Sequence, residues 1–207
     1  KSTYTEYQDQ YGAGYGAYYG STGYFNDVDM NGDGILDLVT PGTEDASYGA
    51  PFDGRMVYQW NSWYPELTDT YLQPTPWEAA KNNPLTFFET AETAINSVSF
   101  EGSTDKGTYR FAYTNFSQKG VLPNSSINKD ILDFGGSYDL SDKLSIRTKM
   151  TYSAVRGKGR YGTGYDAKNP NQSFKQWYQT NVDIKEQEAA YFLTGQNITW
   201  NANSTTD

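Results

Sequence analysis

Residues Ser97 to Ala154 read SVSFEGSTDKGTYRFAYTNFSQKGVLPNSSINKDILDFGGSYDLSDKLSIRTKMTYSA, and this stretch decides the fold. From Leu144 to Ala154, the apolar side chains together with one threonine share one face. The remaining polar and charged side chains share the other face, so the period is two. The same alternation runs through 108–117 and 130–140. We therefore predict antiparallel β-strands that each present one apolar, aromatic face and one polar face.

Two architectures produce this alternation, a soluble β-sandwich and a transmembrane β-barrel. Short turns at 103–106 and 141–143 alternate with longer connections at 119–129 and 157–188. Short turns at one rim and long loops at the other are typical of outer-membrane barrels. Strands of this length also suit the roughly 9–11 tilted residues that cross a bilayer. We predict an all-β chain, an antiparallel transmembrane β-barrel segment of about six strands with long extracellular loops.

On this interpretation the chain divides into five regions. These are a first barrel strand at 1–20, a long extracellular loop at 21–93, barrel strands at 94–156, an extracellular loop at 157–188, and a barrel strand with a periplasmic turn at 189–207. Unstructured loops as long as the first one are rare, so we expect local structure within it, including a short helix near Trp77–Asn82. Phe174, Trp177 and Tyr178 indicate a helix-like turn in the second loop.

Composition excludes several classes of function. Mean hydropathy is −0.78 although the chain has 19 tyrosines, which fits strands that meet lipid of the outer membrane on one side only. The net charge of −9 argues against a nucleic-acid partner. Cysteine and histidine are absent, which removes disulfides, thiolate metal sites and every histidine-dependent catalytic triad. We therefore predict no catalytic site, and the chain is not expected to be an enzyme.

The first loop contains DVDMNGDGILD, which resembles a calcium-binding loop. Oxygen ligands at alternate positions converge on a hard cation when the loop curls around it, and Gly34 would provide the sharp turn. The twelfth position is Thr40 instead of glutamate, so Glu44 or Asp27 would supply the missing carboxylate. The alternative is a metal-free Asp/Asn/Gly turn. The predicted Ca²⁺ ligands are Asp29, Asn31, Asp33 and Asp37.

Several aromatic residues in the two loops are candidates for contact with a glycan or a partner protein. Exposed rings stack on sugars or hold partners, whereas buried rings would form a small core of the loop itself. Both interpretations remain open from the sequence. The candidates are Trp60, Trp63, Tyr64 and Trp177.

The run FDGRMVYQW at Phe52–Trp60 and the long block at Asn82–Ser153 carry a family resemblance. The most specific parts are Asp53-Gly54, Asn83 with Phe87-Phe88, Asn96–Ser99 and KGVLPNS at Lys119–Ser125. With these motifs, the chain resembles the SusC/RagA family of TonB-linked outer-membrane transporters from Bacteroidetes-type bacteria.

The resemblance implies a bacterial outer-membrane protein with an amino-terminal plug and a barrel of about 22 strands. It also implies a SusD-like surface lipoprotein as lid and energised nutrient import through TonB. The plug and the TonB-contacting segment lie outside this chain, which we expect to be an internal segment of a larger protein. Polar residues on the inner face would line the lumen or face the plug. Arg110, Arg147 and Lys149 are the candidates for these positions.

Three functions remain open. The first is a segment of a SusC-like importer of oligosaccharides or peptides. The second is a SusC-like barrel that acts as a scaffold subunit in an outer-membrane assembly or secretion complex. The third is a soluble, calcium-dependent, carbohydrate-binding β-sandwich.

Overall fold

The computed structural model describes residues 6–165 and 168–201. The segment from residue 92 to residue 158, in which apolar and polar side chains alternate, forms one continuous antiparallel sheet. The chain comprises two compact units, one formed by residues 88–160 and the other by the segments on either side. The sheet belongs to the first of these, which we call the sheet unit. The second unit, which we call the loop unit, contains the shorter elements.

Four long strands in sequential order make up the sheet. They are β5 (Glu92–Thr104), β6 (Gly107–Lys119), β7 (Ser126–Ser141) and β8 (Leu144–Lys158). The prediction of antiparallel strands across 94–156 is confirmed, and the strands extend a few residues beyond the predicted bounds. Each neighbouring pair is antiparallel, so the apolar positions of all four strands fall on the same face.

The connections differ in length as the sequence predicted. Asp105-Lys106 and Asp142-Lys143 are two-residue turns between β5 and β6 and between β7 and β8. The connection between β6 and β7 is longer and includes Asn124 with a φ of 58°, in the left-handed region. The amide of Gly120 donates to the carbonyl of Ser125 at 2.9 Å and closes this loop. Both short turns therefore lie at one end of the sheet and the longer connection at the other.

The apolar face of the sheet is exposed to solvent across its whole width. Its central row runs in register over all four strands through Phe100, Phe111, Phe134 and Met150. These four side chains are 63%, 41%, 37% and 64% exposed. A β-strand of a soluble domain would bury such residues, so this face has no cover within the sheet unit.

A polar cluster ends the apolar face near the longer connection. The carboxylate of Asp130 accepts hydrogen bonds from the hydroxyl of Tyr113 at 2.8 Å and from the side-chain amide of Asn115 at 2.9 Å. The guanidinium of Arg156 pairs with the same carboxylate at 3.0 Å. The apolar band therefore has a sharp, hydrogen-bonded polar border on this side.

The loop unit contains two short sheets and two helices. Antiparallel pairing joins β1 (Asn26–Val28) to β2 (Asp37–Val39) and β3 (Met56–Val57) to β4 (Thr75–Pro76). The helices are α1 (Pro170–Gln176) and α2 (Ile184–Thr194), and 3₁₀ turns occur at Trp60–Ser62 and Pro84–Phe87. The expected local structure within 21–93 is confirmed. No helix forms at Trp77–Asn82, and the 3₁₀ turn that begins at Pro84 comes slightly later.

The predicted barrel strand at 1–20 is wrong for the part that the structure describes. Residues 6–20 form only isolated bridges, such as Tyr11 with Pro51 and Gly14 with Ser47. The glycines explain the difference, because Gly14 and Gly16 have φ values of 119° and 140°, which interrupt an extended strand. Residues 1–5 lie outside the described residues.

The predicted barrel strand at 189–207 is also wrong for its described residues, because 189–194 belong to α2. The carboxylate of Asp183 caps this helix by accepting from the amides of Lys185 and Glu186, and Gly195 ends it in the left-handed conformation. Residues 195–201 form no strand, and 202–207 lie outside the described residues. The helix-like turn expected around Phe174 is confirmed as α1, with Trp177 directly after it.

Two hydrophobic clusters stabilise the loop unit. Around Trp77, which is fully buried, lie Phe25 at a ring distance of 5.0 Å and Phe52 at 5.4 Å. Gly12 fits against this ring because an added Cβ would lie 2.2 Å from it. The Gly-Tyr run therefore packs tightly on a tryptophan.

In the described parts of the chain, no helix has the length and apolarity that crossing a membrane requires.

Candidate functional site

The predicted calcium ligands lie together in the loop between β1 and β2. The carboxylate of Asp29 accepts from the amides of Gly32 at 2.8 Å and Gly34 at 2.9 Å. Asp33 accepts from the amide of Ile35 at 2.8 Å, and Asp37 accepts from the amide of Met30 at 3.0 Å. The loop is therefore folded by its own side-chain oxygens.

Both glycines of the loop have left-handed backbones, with φ values of 78° at Gly32 and 84° at Gly34. Thr40, at the twelfth position, is buried, and its hydroxyl donates to the carbonyl of Tyr58 at 3.0 Å. The carboxylate of Asp27 accepts from the amide of Ser21. Among residues 6–165 and 168–201, no three acidic side chains converge as metal ligands. Calcium binding stays a prediction.

Three of the aromatic candidates are buried. Trp60, Trp63 and Tyr64 are only 3%, 8% and 6% exposed. They pack in the second hydrophobic cluster with residues such as Val182 and Trp200. The prediction that these three rings contact a glycan or a partner is therefore wrong, because they form the core of the loop unit and present no face to a ligand.

The fourth candidate, Trp177, lies at a cavity. Its ring meets that of Tyr165 edge to face at 6.1 Å. The cavity has a volume of about 710 Å³, and amide side chains surround the rings. Those amides come from Gln172, Gln187, Asn197 and Asn201. Aromatic rings and amides together suit sugar recognition, so glycan contact by Trp177 stays a prediction.

Sequence reasoning missed these amides because Asn197 and Asn201 fall where a strand was predicted, and Gln172 and Gln187 fall in a stretch predicted as a loop. Their order along the sequence carries no motif. Only the Asn-x-Thr triplet at Asn197 marks this segment, and a triplet of that kind indicates nothing about a cavity.

The three lumen candidates lie on the polar face of the sheet, opposite the aromatic row. Arg110 is in register with Gly135, which is in register with Lys149. Arg147 is in register with Ser137 in the next row. The structure therefore brings together three cations from β6 and β8 around Gly135 and Gly136 of β7. A concavity of about 650 Å³ opens at this place.

Burial and charge perturb a carboxyl group in the loop unit. Desolvation, and then the nearby charge of Asp183, raise the pKa of Glu186 from its ordinary value of 4.5. The side-chain amide of Asn61 donates to this carboxylate at 3.4 Å. Burial also raises the pKa of the Tyr178 phenol, whose hydroxyl donates to the carbonyl of Val182.

Glu186→Gln is expected to stabilise the loop unit at pH 7 and to have little effect at pH 4. The raised pKa means that the folded state holds the proton more tightly, so stability falls as the pH rises from the unfolded pKa through the folded pKa. The gain should stay below about 1 kcal/mol, because the residue remains partly exposed to water, so its desolvation is incomplete, and because the helix dipole favours its charge. Thermal unfolding at both pH values measures it. An equal gain at pH 4 and pH 7 would contradict the explanation.

The sequence matches no protein-family model and no curated protein.

Proposed function

We propose that this chain forms part of the wall of a SusC/RagA-like, TonB-dependent barrel in a bacterial outer membrane. The barrel imports oligosaccharides or peptides together with a SusD-like surface lipoprotein. TonB acts through a plug encoded outside this chain. The observation that carries the proposal is the uncovered aromatic face of the four-stranded sheet.

The size of the apolar band supports contact with lipid. From Leu144 to Tyr152 the band spans nine residues, within the roughly 9–11 residues that a tilted strand needs to cross the apolar layer. Outer-membrane barrels present an apolar band about 25 Å tall with aromatic girdles at its borders. Tyr113 and Tyr152 lie in one row at the border near the Asp130 cluster, and Tyr138 lies towards the opposite end.

The arrangement of turns supports the same topology. Two-residue turns at one end and a longer connection at the other match the periplasmic and extracellular rims of such barrels. The edge strands β5 and β8 have 13 and 15 residues and pair on one side only within the described sheet. Long unpaired edges promote aggregation, and barrel closure by further strands removes them.

The polar face supports a water-filled or plug-filled interior. Serine, threonine, arginine and lysine alternate with the apolar positions along β6 and β8. In a barrel these side chains face the lumen, where charges remain hydrated. A scaffold subunit would need the same barrel wall as an importer. The sheet therefore supports both functions equally, and only a measurement of transport distinguishes them.

The experiment is fractionation of the cells that make the protein, followed by the intact mass of the purified polypeptide. Recovery from the outer membrane with a mass of roughly 100 kDa or more fits a barrel of about 22 strands with a plug. Loss of oligosaccharide uptake when the gene is deleted supports import over the scaffold function. A soluble polypeptide of 23.2 kDa would contradict the barrel and favour the calcium-dependent β-sandwich.

Calcium is proposed as a structural ion of the loop between β1 and β2. Calorimetric titration should detect binding at or below millimolar calcium, the range of extracellular calcium modules. Asp29→Asn should weaken it, because this carboxylate occupies the first ligand position. Asp53→Asn, which changes an acidic residue elsewhere in the loop unit, is the matched control. Absence of binding at millimolar calcium would remove the ion from the proposal.

A further inference from the structure

The polar face of the sheet has an open gap between two cations. Arg110 and Lys149 flank Gly135 in one row across β6, β7 and β8. Neighbouring strands lie about 4.8 Å apart, so the two cationic backbones are about 10 Å apart across the glycine. A Cβ added to Gly135 would meet nothing closer than the Thr148 carbonyl at 4.0 Å. The space above this glycine is therefore free for a ligand.

The cations around this gap are not neutralised by ion pairs. Within the described sequence, the side chains of Arg110, Arg147 and Lys149 form no salt bridge, whereas Lys119 and Arg156 of the same sheet do. Two acidic residues lie close by. Glu101 is in register with Arg110 without pairing to it, and the Asp133 carboxylate accepts from the hydroxyl of Thr151.

The charge of the sheet unit supports an anionic ligand. Residues 88–160 contain ten lysines and arginines and eight acidic residues. This unit is therefore slightly positive, although the whole chain has a net charge of −9. Cations that line a cleft raise the local concentration of anions.

We propose that this groove binds an acidic oligosaccharide through its carboxylates. The inference rests on the proposed importer function and names its substrate class. Arginine binds a carboxylate through two parallel hydrogen bonds, and lysine adds a third charge. Thr108 and Ser137 add hydroxyls 2.8 Å apart at the same place, which suit sugar hydroxyls. The glycine floor leaves room for a pyranose ring.

The groove suits a sugar better than an acidic peptide. Peptides bind sheets by adding a strand to a free edge. Here β6 and β7 each have a partner on both sides, so their backbone groups are already paired. Only side chains reach the ligand, and their hydroxyls and cations match a polyhydroxylated acid.

Calorimetry with trigalacturonate on the intact protein, purified in detergent, tests the proposal. The fully methyl-esterified trisaccharide is the matched neutral probe and should bind at least about tenfold more weakly, because two charge-assisted contacts are lost. The combined variant Arg147→Gln with Lys149→Gln should lose trigalacturonate affinity by a similar factor. Rising salt should weaken the binding of trigalacturonate and leave the ester unaffected.

Lys106→Gln with Lys143→Gln is the charge-matched control, since both lysines lie in or beside the two-residue turns, away from the groove. It should change the affinity less than twofold. Gly135→Val fills the groove without altering its charge, suits a strand, and should also abolish binding. Circular dichroism of each variant shows whether it has folded.

Four results would overturn the proposal. They are no binding of trigalacturonate at millimolar concentration, equal affinity for the ester, unchanged binding by the groove variants, and hexaglutamate binding as tight as trigalacturonate at the same residues. Fractionation separates this failure from that of the proposed function. An outer-membrane protein without trigalacturonate binding would refute only the acidic ligand, whereas a soluble protein would refute the importer.

Discussion

Replacing Phe100 with arginine is expected to cost about 2–4 kcal/mol of membrane-inserted stability, the range measured for arginine at the lipid-facing midplane of a barrel. Phe100 belongs to the central row of the apolar face. The side chain is 63% exposed in the chain itself, so the same change in a water-exposed sheet would cost little. Urea-dependent folding into lipid vesicles measures the difference.

Ser99→Arg is the matched control, because Ser99 precedes Phe100 on the same strand and lies on the opposite face. It should change the stability by less than about 0.5 kcal/mol, as surface substitutions usually do. Equal effects at the two positions would mean that the two faces meet the same surroundings. That result would contradict the assignment of the aromatic face to lipid.

Trp77→Ala is expected to destabilise the loop unit by about 3–5 kcal/mol, the usual cost of removing a buried tryptophan. The ring is fully buried and packs against Phe25 and Phe52. Its indole nitrogen donates to the carbonyl of Ala50 at 3.2 Å, so the substitution also removes a buried hydrogen bond, although this carbonyl keeps the bond from the Gly12 amide. Urea unfolding followed by circular dichroism measures the loss, with the exposed Tyr48→Ala as the control.

A double-mutant cycle tests the packing of Gly12 on this ring. Gly12→Ala alone should destabilise, because its Cβ would lie 2.2 Å from the tryptophan. In the Trp77→Ala background the same change should cost much less, since most of the clash is gone. Additive effects would show that the glycine is needed for another reason.

The sheet was predictable because its information is local. Each strand repeats the alternation for ten or more residues, and the pleat turns this directly into two faces. The position of Arg147 beside Lys149 on one face follows from the same rule. Their approach to Arg110 depends on register. The two-residue turn at Asp142-Lys143 sets the register of β8 on β7, and the longer connection at 120–125 joins β6 to β7.

The loop unit was less predictable because its structure depends on distant contacts. Alternating tyrosines before Gly20 suggested a strand, but Gly14 and Gly16 adopt positive φ values, and Gly12 packs on Trp77 more than 50 residues away. The aromatic run at Trp60–Tyr64 gave no sign of whether its rings were buried. Burial of those rings depends on Val182 and Trp200, which lie over 100 residues further along the chain.

The helix α2 was missed for a different reason. The prediction gave weight to the resumption of apolar residues after Glu188 and overlooked the capping signal at Asp183 and the glycine at 195. Asp183 followed three residues later by Glu186 is a sequence signature of a helix start. That signal was present in the sequence and outweighs the weak alternation that follows it.

The central claim is that the aromatic face of the sheet meets lipid, and spin labels test it most directly. The chain contains no cysteine, so Met150→Cys and Ser153→Cys each introduce one labelling site on opposite faces of β8. In membranes, the label at 150 should be accessible to oxygen and protected from a water-soluble nickel complex. The label at 153 should show the reverse preference. A label at 150 that is shielded from both reagents, as in a protein core, or open to nickel, as in water, would contradict the account.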